Sequence, residues 1–140
     1  MLKLMKNNEP CLKQESFPVV YGEDVRELSG EMFRVMYENK GIGLSANQLG
    51  VMKRIIVVAV PGTKPVTIIN PKVTPRNGGT FKSKEGCLSY PGKIAFIKRH
   101  KRVLIEGFDL DWKPIKMKLV GLQSVCAQHE YDHLSGKAII

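Results

Sequence analysis

Two histidines spaced one helical turn apart near the end of the chain restrict how this sequence can fold. Segment 122–134 repeats its apolar residues and both histidines at intervals of three and four, which predicts a helix that ends at Gly136. Within it, His129-Glu130-Tyr131-Asp132-His133 puts both imidazoles on one face, where they can bind one metal ion while Glu130 accepts a proton from water. Two histidines of an ordinary amphipathic helix would not usually come with this glutamate.

A catalytic metal site of this kind generally has three protein ligands and one open position, so a third ligand is needed. Seven residues follow His133, and none is a suitable donor, so we expect the chain to bring an upstream residue to the helix. We favour Cys87, because Gly86 permits a close backbone approach and the next amide, that of Leu88, can face a substrate. The alternatives are His100, a carboxylate, Cys11 and Cys126, which could equally be a small buried hydrophobe.

The remaining pattern indicates an α+β fold. Apolar residues at helical spacing predict an N-terminal helix from Asp24, its cap, to Lys40, with Gly41 as its stop. Apolar or alternating runs predict short strands at 55–60, 66–69, 103–105 and 115–119, with turns at 61–62, 77–79 and 91–92. We therefore expect antiparallel strands packed around a central metal-binding helix, with a second, N-terminal helix, in one domain that spans 1–140.

Composition excludes some classes of protein. The chain carries 22 Lys and Arg against 13 Asp and Glu, a net charge of +9, but the basic residues are spread along its length. This favours a solvated surface, with attraction to nucleic acid or the ribosome as the alternative. No apolar run is long enough to span a membrane, no signal peptide is evident and the three cysteines are an odd number, which together predict a cytoplasmic protein with reduced thiols.

Three motifs in this order resemble the peptide deformylase family: Gly41-Ile42-Gly43-Leu44-Ser45-Ala46-Asn47-Gln48, Glu85-Gly86-Cys87-Leu88-Ser89 and Gln128-His129-Glu130-Tyr131-Asp132-His133. The likeness covers the chain from about residue 9 to residue 136. Ser45 stands where the family usually has alanine. In its length the chain is similar to the short, virus-encoded members, which lack the C-terminal helix associated with ribosome contact.

The resemblance implies a metal-dependent amide hydrolase that removes the formyl group from the N-terminal formyl-methionine of newly made peptides and releases formate. It implies that Cys87, His129 and His133 bind the metal. The native ion would be Fe²⁺, and Zn²⁺, Ni²⁺ or Co²⁺ could replace it. Glu130 would transfer the proton, and Gln48 with the Leu88 amide would hold the oxyanion.

The same resemblance implies how substrate and partners are bound. Ile42, Gly43 and Gly86 would meet the peptide backbone, and the methionine pocket would be lined by Leu122, Val125 and Cys126. The expected partners are formyl-methionyl nascent peptides and, through the basic surface, a transient ribosome contact, with no membrane and no sequence-specific nucleic acid. The location would be the cytoplasm, or the host cytoplasm for a virus-encoded protein.

A few residues remain open at this stage. Asp132 either pairs with a cation such as Arg99, orients a ligand or is simply solvated. We expect His100 at the surface and Tyr90 and Trp112 in packing roles. The competing function is a basic ribosome- or nucleic-acid-binding module with a structural metal, which would require Cys126 as a fourth ligand.

Overall fold

An antiparallel five-stranded sheet separates two helices in the computed structural model of the protein, which describes residues 1–138. The elements in chain order are α1 (Arg26–Glu38), β1 (Gly43–Ser45), β2 (Ile55–Val58), β3 (Val66–Pro75), β4 (Thr80–Cys87), β5 (Tyr90–His100), β6 (Arg102–Phe108), β7 (Pro114–Val120) and α2 (Gly121–Leu134). The large sheet has the order β1-β2-β3-β6-β7, and β4 and β5 form a separate antiparallel hairpin. The predicted domain runs to residue 140, and its residues 139 and 140 lie outside the described part.

Strand β2 is apolar throughout because both of its faces are covered. Successive side chains of a strand point to opposite faces. Ile55 and Val57 pack with Met36 of α1, whereas Ile56 and Val58 pack in the cluster that contains Ala127 of α2. The sheet therefore holds the two helices at fixed positions on its two sides, and the α+β prediction with two helices is confirmed.

Helix α2 is buried on nearly every side, since every residue from Ser124 to Glu130 is buried. Two of its polar residues, Ser124 and Gln128, are satisfied by the neighbouring hairpin. Ser124 Oγ and Gln128 Nε2 donate to the His100 carbonyl at 3.0 and 2.8 Å, and the His100 N–H donates to Gln128 Oε1 at 2.9 Å. These bonds join α2 to the end of β5. His100, expected at the surface, is only half exposed because of this contact.

The ends of α1 differ from the prediction. The N-cap position is Val25, and Asp24, one residue earlier, accepts a hydrogen bond from the Arg26 N–H at 3.1 Å. At the other end, Lys40 adopts the left-handed conformation, with φ 57°, that we expected of Gly41. Gly41 serves a different need, since a Cβ there would lie 2.6 Å from Leu88 Cδ1.

The hairpin β4–β5 is the main element that the strand predictions missed. Its turn is formed by Leu88 and Ser89, not by the expected Pro91-Gly92. Pro91 and Gly92 lie inside β5, at a register shift where Gly86 pairs with Ile94 and Cys87 with Tyr90. The predicted turn at 91–92 is therefore wrong, because the proline and glycine form a bulge rather than a reversal.

The other predicted turns and packing residues agree with the structure. Gly62, Gly78 and Gly79 have positive φ between strands, as expected. Trp112 is buried in the core and its Nε1 donates to the Glu23 carbonyl at 2.8 Å. Among residues 1–138, no helix is both long and apolar enough to cross a membrane.

The end of α2 provides a test of how tightly the N-terminal segment clamps this helix. Gly136 and Gly62 both have positive φ, 76° and 84°. A Cβ on Gly136 would lie 2.9 Å from the Lys13 carbonyl oxygen, whereas a Cβ on Gly62 would have no neighbouring atom within 4 Å. We expect Gly62→Ala to lower the free energy of unfolding by about 1 kcal/mol through backbone strain alone. Gly136→Ala should cost about 3 kcal/mol, because overpacking adds to that strain. Urea unfolding measures both losses, and equal losses would contradict tight packing of the N-terminal segment against Gly136.

Candidate metal centre and substrate cleft

A cleft of about 850 Å³ lies between the hairpin, α2 and segment 41–48. Cys87, at the end of strand β4, lines this cleft, as do His129 and Glu130 of α2. His133, one helical turn further on, is 1% exposed and lies beneath the cleft wall. The fold thus joins residues that are 46 positions apart in the sequence.

Three donor atoms converge at the base of this cleft. Cys87 Sγ lies 3.2 Å from His133 Nε2, which lies 3.2 Å from His129 Nε2. The donor atoms of the three residues all lie within 4.8 Å of one another, close enough to hold one ion. One thiolate and two imidazole nitrogens suit divalent iron or zinc and leave a coordination position open, so the residues fit a catalytic metal.

Cys126 does not belong to this group of donors. It is 4% exposed, and its thiol donates a weak hydrogen bond to the Ile42 carbonyl at 3.5 Å. Burial raises the pKa of this thiol far above its ordinary value, so it stays neutral. The four-ligand structural site that the competing function requires is therefore not formed by these residues.

A buried network of charges holds the first histidine. Glu85 accepts from Arg99 Nε and Nη2, both at 2.7 Å, and its Oε1 lies 2.8 Å from His129 Nδ1. A carboxylate only accepts, so Nδ1 carries the proton and Nε2 is directed at the other donors. Arg99 Nη1 also donates to Asp132 Oδ2 at 2.6 Å. Asp132 thus pairs with Arg99, one of the alternatives that the sequence left open.

The pKa values of this network follow from its hydrogen bonds. Burial alone would raise the pKa of Glu85, but Arg99 and His129 outweigh it and lower the pKa to about 2. Burial alone would lower the pKa of His129, but Cys87 and Glu85 reverse the effect and raise it to about 10. Burial and the charges of His129 and Arg99 lower the pKa of His133 to about 3. His133 is therefore neutral, whereas His129 would have to release a proton to serve as a metal ligand.

Glu130 is positioned by the close approach of β1 to α2. A Cβ on Gly43 would lie 2.5 Å from Cys126 Sγ and 2.9 Å from Glu130 Oε2, so only glycine fits there. Oε1 of Glu130 is buried without a hydrogen-bond partner among the described residues. Burial raises the pKa of Glu130 to about 7, which suits a group that both takes and gives a proton near neutral pH.

The side-chain amide nitrogen of Gln48 faces Cys87, one of the three converging residues. Its Oε1 accepts from the Ser45 N–H at 3.0 Å and lies 3.0 Å from Ser45 Oγ. Its Nε2 donates to Ser89 Oγ at 3.0 Å and lies 3.6 Å from Cys87 Sγ. Ser45 is the N-cap of the short 3-10 helix Ala46–Leu49. Its backbone N–H fixes which end of the Gln48 amide faces the cleft, and its hydroxyl, which also lies 2.7 Å from Asn47 Oδ1, supports both amides.

The cleft brings together nearly all of the residues that the sequence indicated. Its walls include Gln48, Leu88, Cys87, His129 and Glu130, together with every residue expected to bind substrate: Ile42, Gly43, Gly86, Leu122, Val125 and Cys126. Leu122 is 52% exposed and lies towards the opening, whereas Val125 and Cys126 are buried deeper on the same helix.

Sequence reasoning missed three residues of the site. Glu85 carries the charge network, Ser89 accepts from Gln48, and Tyr90, expected only to pack, lines the cleft. Glu85 had a detectable signal, because a residue two positions before Cys87 on a strand shares its face. Ser89 and Tyr90 had none, since their position depends on the unpredicted turn of the hairpin.

A buried glutamate beside three converging donor atoms that could hold an ion is an arrangement typical of metal-dependent hydrolases. Comparison with known proteins identifies the family of hydrolases. The model of the polypeptide deformylase family matches residues 1–140, and the chain belongs to this family. It is a metalloenzyme that removes the formyl group from N-terminal methionine.

Individual relatives support this assignment. The peptide deformylase of Pseudomonas aeruginosa is 39% identical over 143 residues, which cover 100% of this chain and 85% of that protein. The PDF of a Vibrio parahaemolyticus bacteriophage, solved in complex with actinonin, is 46% identical with a TM-score of 0.94, and the match covers 99% of this chain and 100% of that chain. The class I type b peptide deformylase of Acinetobacter baumannii, solved with Met-Ala-Ser bound, is 28% identical with a TM-score of 0.92 over 99% and 96% of the two chains.

The charge network predicts that Glu85 controls metal retention. We expect Glu85→Gln to weaken metal affinity by about tenfold to hundredfold, because a neutral amide oxygen replaces the charged acceptor that orients the His129 ring. Metal content after dialysis against graded chelator concentrations measures the effect. Asp132→Asn is the control, since Asp132 contacts the same arginine from a more exposed position. If both variants lost metal equally, the hydrogen bond that His129 donates to Glu85 would not be what retains the metal.

The position of Ser45 predicts a separate effect on Gln48. We expect Ser45→Ala to lower the free energy of unfolding by about 1 kcal/mol, as for other capping serines, and also to lower kcat because the Gln48 amide is held less firmly. Ser29→Ala is the matched control, because Ser29 is equally buried and pairs with Thr67 far from the cleft. Stability and kcat measured on both variants separate the two effects. Equal kcat in the two variants would contradict the positioning of Gln48.

Proposed function

We propose that Cys87, His129 and His133 hold the catalytic metal and that Glu130 carries the proton in deformylation. The observation that supports this most strongly is the convergence of the three donor atoms within 4.8 Å beside the buried Glu130. A divalent ion bound there supplies Lewis-acid chemistry, which polarises a carbonyl oxygen and lowers the pKa of water. Fe²⁺ is the proposed native ion, with Zn²⁺, Ni²⁺ or Co²⁺ as substitutes.

In this mechanism the residues of the chain divide the work. Glu130 takes a proton from the attacking water as the oxygen of that water bonds to the formyl carbon. As the bond from that carbon to the methionine nitrogen breaks, Glu130 gives the proton to the nitrogen, so that formate and a free amine leave. Its unpartnered Oε1 and raised pKa suit both steps.

The developing negative charge on the formyl oxygen requires hydrogen-bond donors that are already in place. Gln48 Nε2 and the Leu88 N–H supply them. Gln48 is suited to this because Ser45 fixes its Oε1 and leaves Nε2 on the cleft side. The loss of such a donor typically costs about 3 kcal/mol of transition-state stabilisation.

The substrate is the formyl-methionyl end of a nascent peptide. Val125, Cys126 and Leu122 line the pocket for the methionine side chain. The backbone of Ile42, Gly43 and Gly86 lies along the peptide, where Gly86 leaves room for main-chain contact. The Acinetobacter baumannii relative bound to Met-Ala-Ser, a peptide with the form of a deformylated product, supports a substrate of this kind.

The setting of the reaction follows from the same proposal. One domain carries the whole activity in the cytoplasm, or in the host cytoplasm for a virus-encoded protein. The net charge of +9 supports a transient electrostatic contact with the ribosome. Neither a membrane nor a specific nucleic-acid sequence has a part in it.

Glu130→Gln tests the proposal directly. The variant keeps the size of the side chain but cannot accept a proton, so we expect the kcat for formate release from a formyl-Met tripeptide to fall by about 10²- to 10⁴-fold. Metal content should stay unchanged, because Glu130 is not one of the proposed ligands. Glu27→Gln, at an exposed position of α1, is the control and should keep full activity. Undiminished turnover by Glu130→Gln would remove the proposed acid–base role.

A further inference from the structure

Four lysines line the cleft, and all four are exposed: Lys6, Lys40, Lys84 and Lys93. We call them the cleft lysines. They come from three parts of the chain, since Lys6 belongs to the N-terminal segment, Lys40 follows α1, and the other two lie on the β4–β5 hairpin. The positive charge at the opening therefore does not come from a single basic run of sequence.

None of the carboxylates that the structure describes forms an ion pair with a cleft lysine. The two acidic residues that line the cleft, Glu85 and Glu130, are buried at its base, and the charge of Glu85 is already met by Arg99. Within residues 1–138, no salt bridge includes any of the cleft lysines. Even Glu38, two residues before Lys40, is 3.0 Å from Arg34 Nη1 instead.

These lysines lie next to the segments that we assign to the peptide backbone. Lys84 directly precedes Glu85-Gly86, and the Lys93 carbonyl lies 3.7 Å from the position of a Cβ on Gly86. On the N-terminal side, Asn7, the neighbour of Lys6, donates its N–H to the Ser89 carbonyl at 2.8 Å. With the methionine in its pocket, the residues that follow it leave through an opening bordered by these ammonium groups.

We propose that the cleft lysines make this enzyme favour formyl-methionyl peptides with acidic residues shortly after the methionine. The inference rests on the proposed function, because it requires the methionine to occupy the pocket of α2. Each exposed charge pair contributes little by itself, but several charges of one sign around a concave site act together on a bound chain. Their range is about 10 Å at 0.1 M salt, which reaches only the first few residues.

The test compares three peptide amides that differ only in charge: formyl-Met-Ala-Asp-Asp, formyl-Met-Ala-Ser-Ser and formyl-Met-Ala-Lys-Lys. At low ionic strength we expect kcat/KM for the acidic peptide to exceed that for the basic peptide by about tenfold. The ratio should fall to within about twofold at about 1 M salt, where the Debye length is about 3 Å. Binding of the corresponding deformylated peptides, followed by calorimetry, gives the same order without depending on turnover.

Two double variants separate the cleft lysines from the overall charge. Lys84→Glu with Lys93→Glu, and Lys82→Glu with Lys98→Glu, reduce the net charge by the same amount on the same hairpin. Lys82 and Lys98 are exposed and paired across the strands, and they do not line the cleft. We expect the first pair to abolish or reverse the preference for the acidic peptide and the second to keep it.

The outcomes distinguish this inference from the function on which it rests. Hydrolysis of the serine peptide together with equal kcat/KM for the acidic and basic peptides would overturn the proposed preference and leave deformylation intact. Equal effects of the two double variants would also overturn it, because they would assign the preference to net charge alone. If none of the three peptides released formate, the proposed function itself would fail.

Discussion

The position of the site depends on the buried ion pair between Glu85 and Arg99. The hairpin that carries Cys87 has no strand partner in the five-stranded sheet within the described residues, so sheet hydrogen bonds do not set its place relative to α2. Arg99 meets Glu85 with two hydrogen bonds and Asp132 of α2 with a third, while Glu85 accepts from His129. Burying charges is costly unless each is paired and hydrogen-bonded, and here each one is. The same contacts therefore attach the hairpin to the helix and orient the imidazole of His129.

Burial leaves some titratable residues of the site neutral, whereas hydrogen-bond partners keep another one charged. This difference in protonation state distinguishes their roles. Glu130 and His133 are both deeply buried without a compensating hydrogen bond at one polar atom, so each is driven towards its neutral form. For His133, neutrality is the state that a metal requires. For Glu130, it brings the pKa close to neutral pH, where a single carboxyl group can serve as base and then as acid. Glu85, equally buried, stays charged because its partners surround it.

Local sequence patterns were sufficient for part of this structure. The spacing of His129 and His133 predicted the helix, and the glycine beside Cys87 pointed to the residue that the structure brings to both histidines before any family was considered. The hairpin was missed because β5 presents Ile94 and Phe96 to solvent and contains Pro91-Gly92, which removes the expected alternation of apolar and polar residues along the sequence. The pairing of Glu85 with Arg99 spans 14 residues and depends on the register of that hairpin, so no short motif could reveal it.

Asn47 connects two parts of the site by a hydrogen bond. Its side-chain Nδ2 donates to the carbonyl oxygen of His133 at 2.7 Å, and its neighbour in the same short turn is Gln48. The Asn47 side chain therefore fixes the last turn of α2 against the segment that carries Gln48, and this contact sets the spacing between two walls of the cleft.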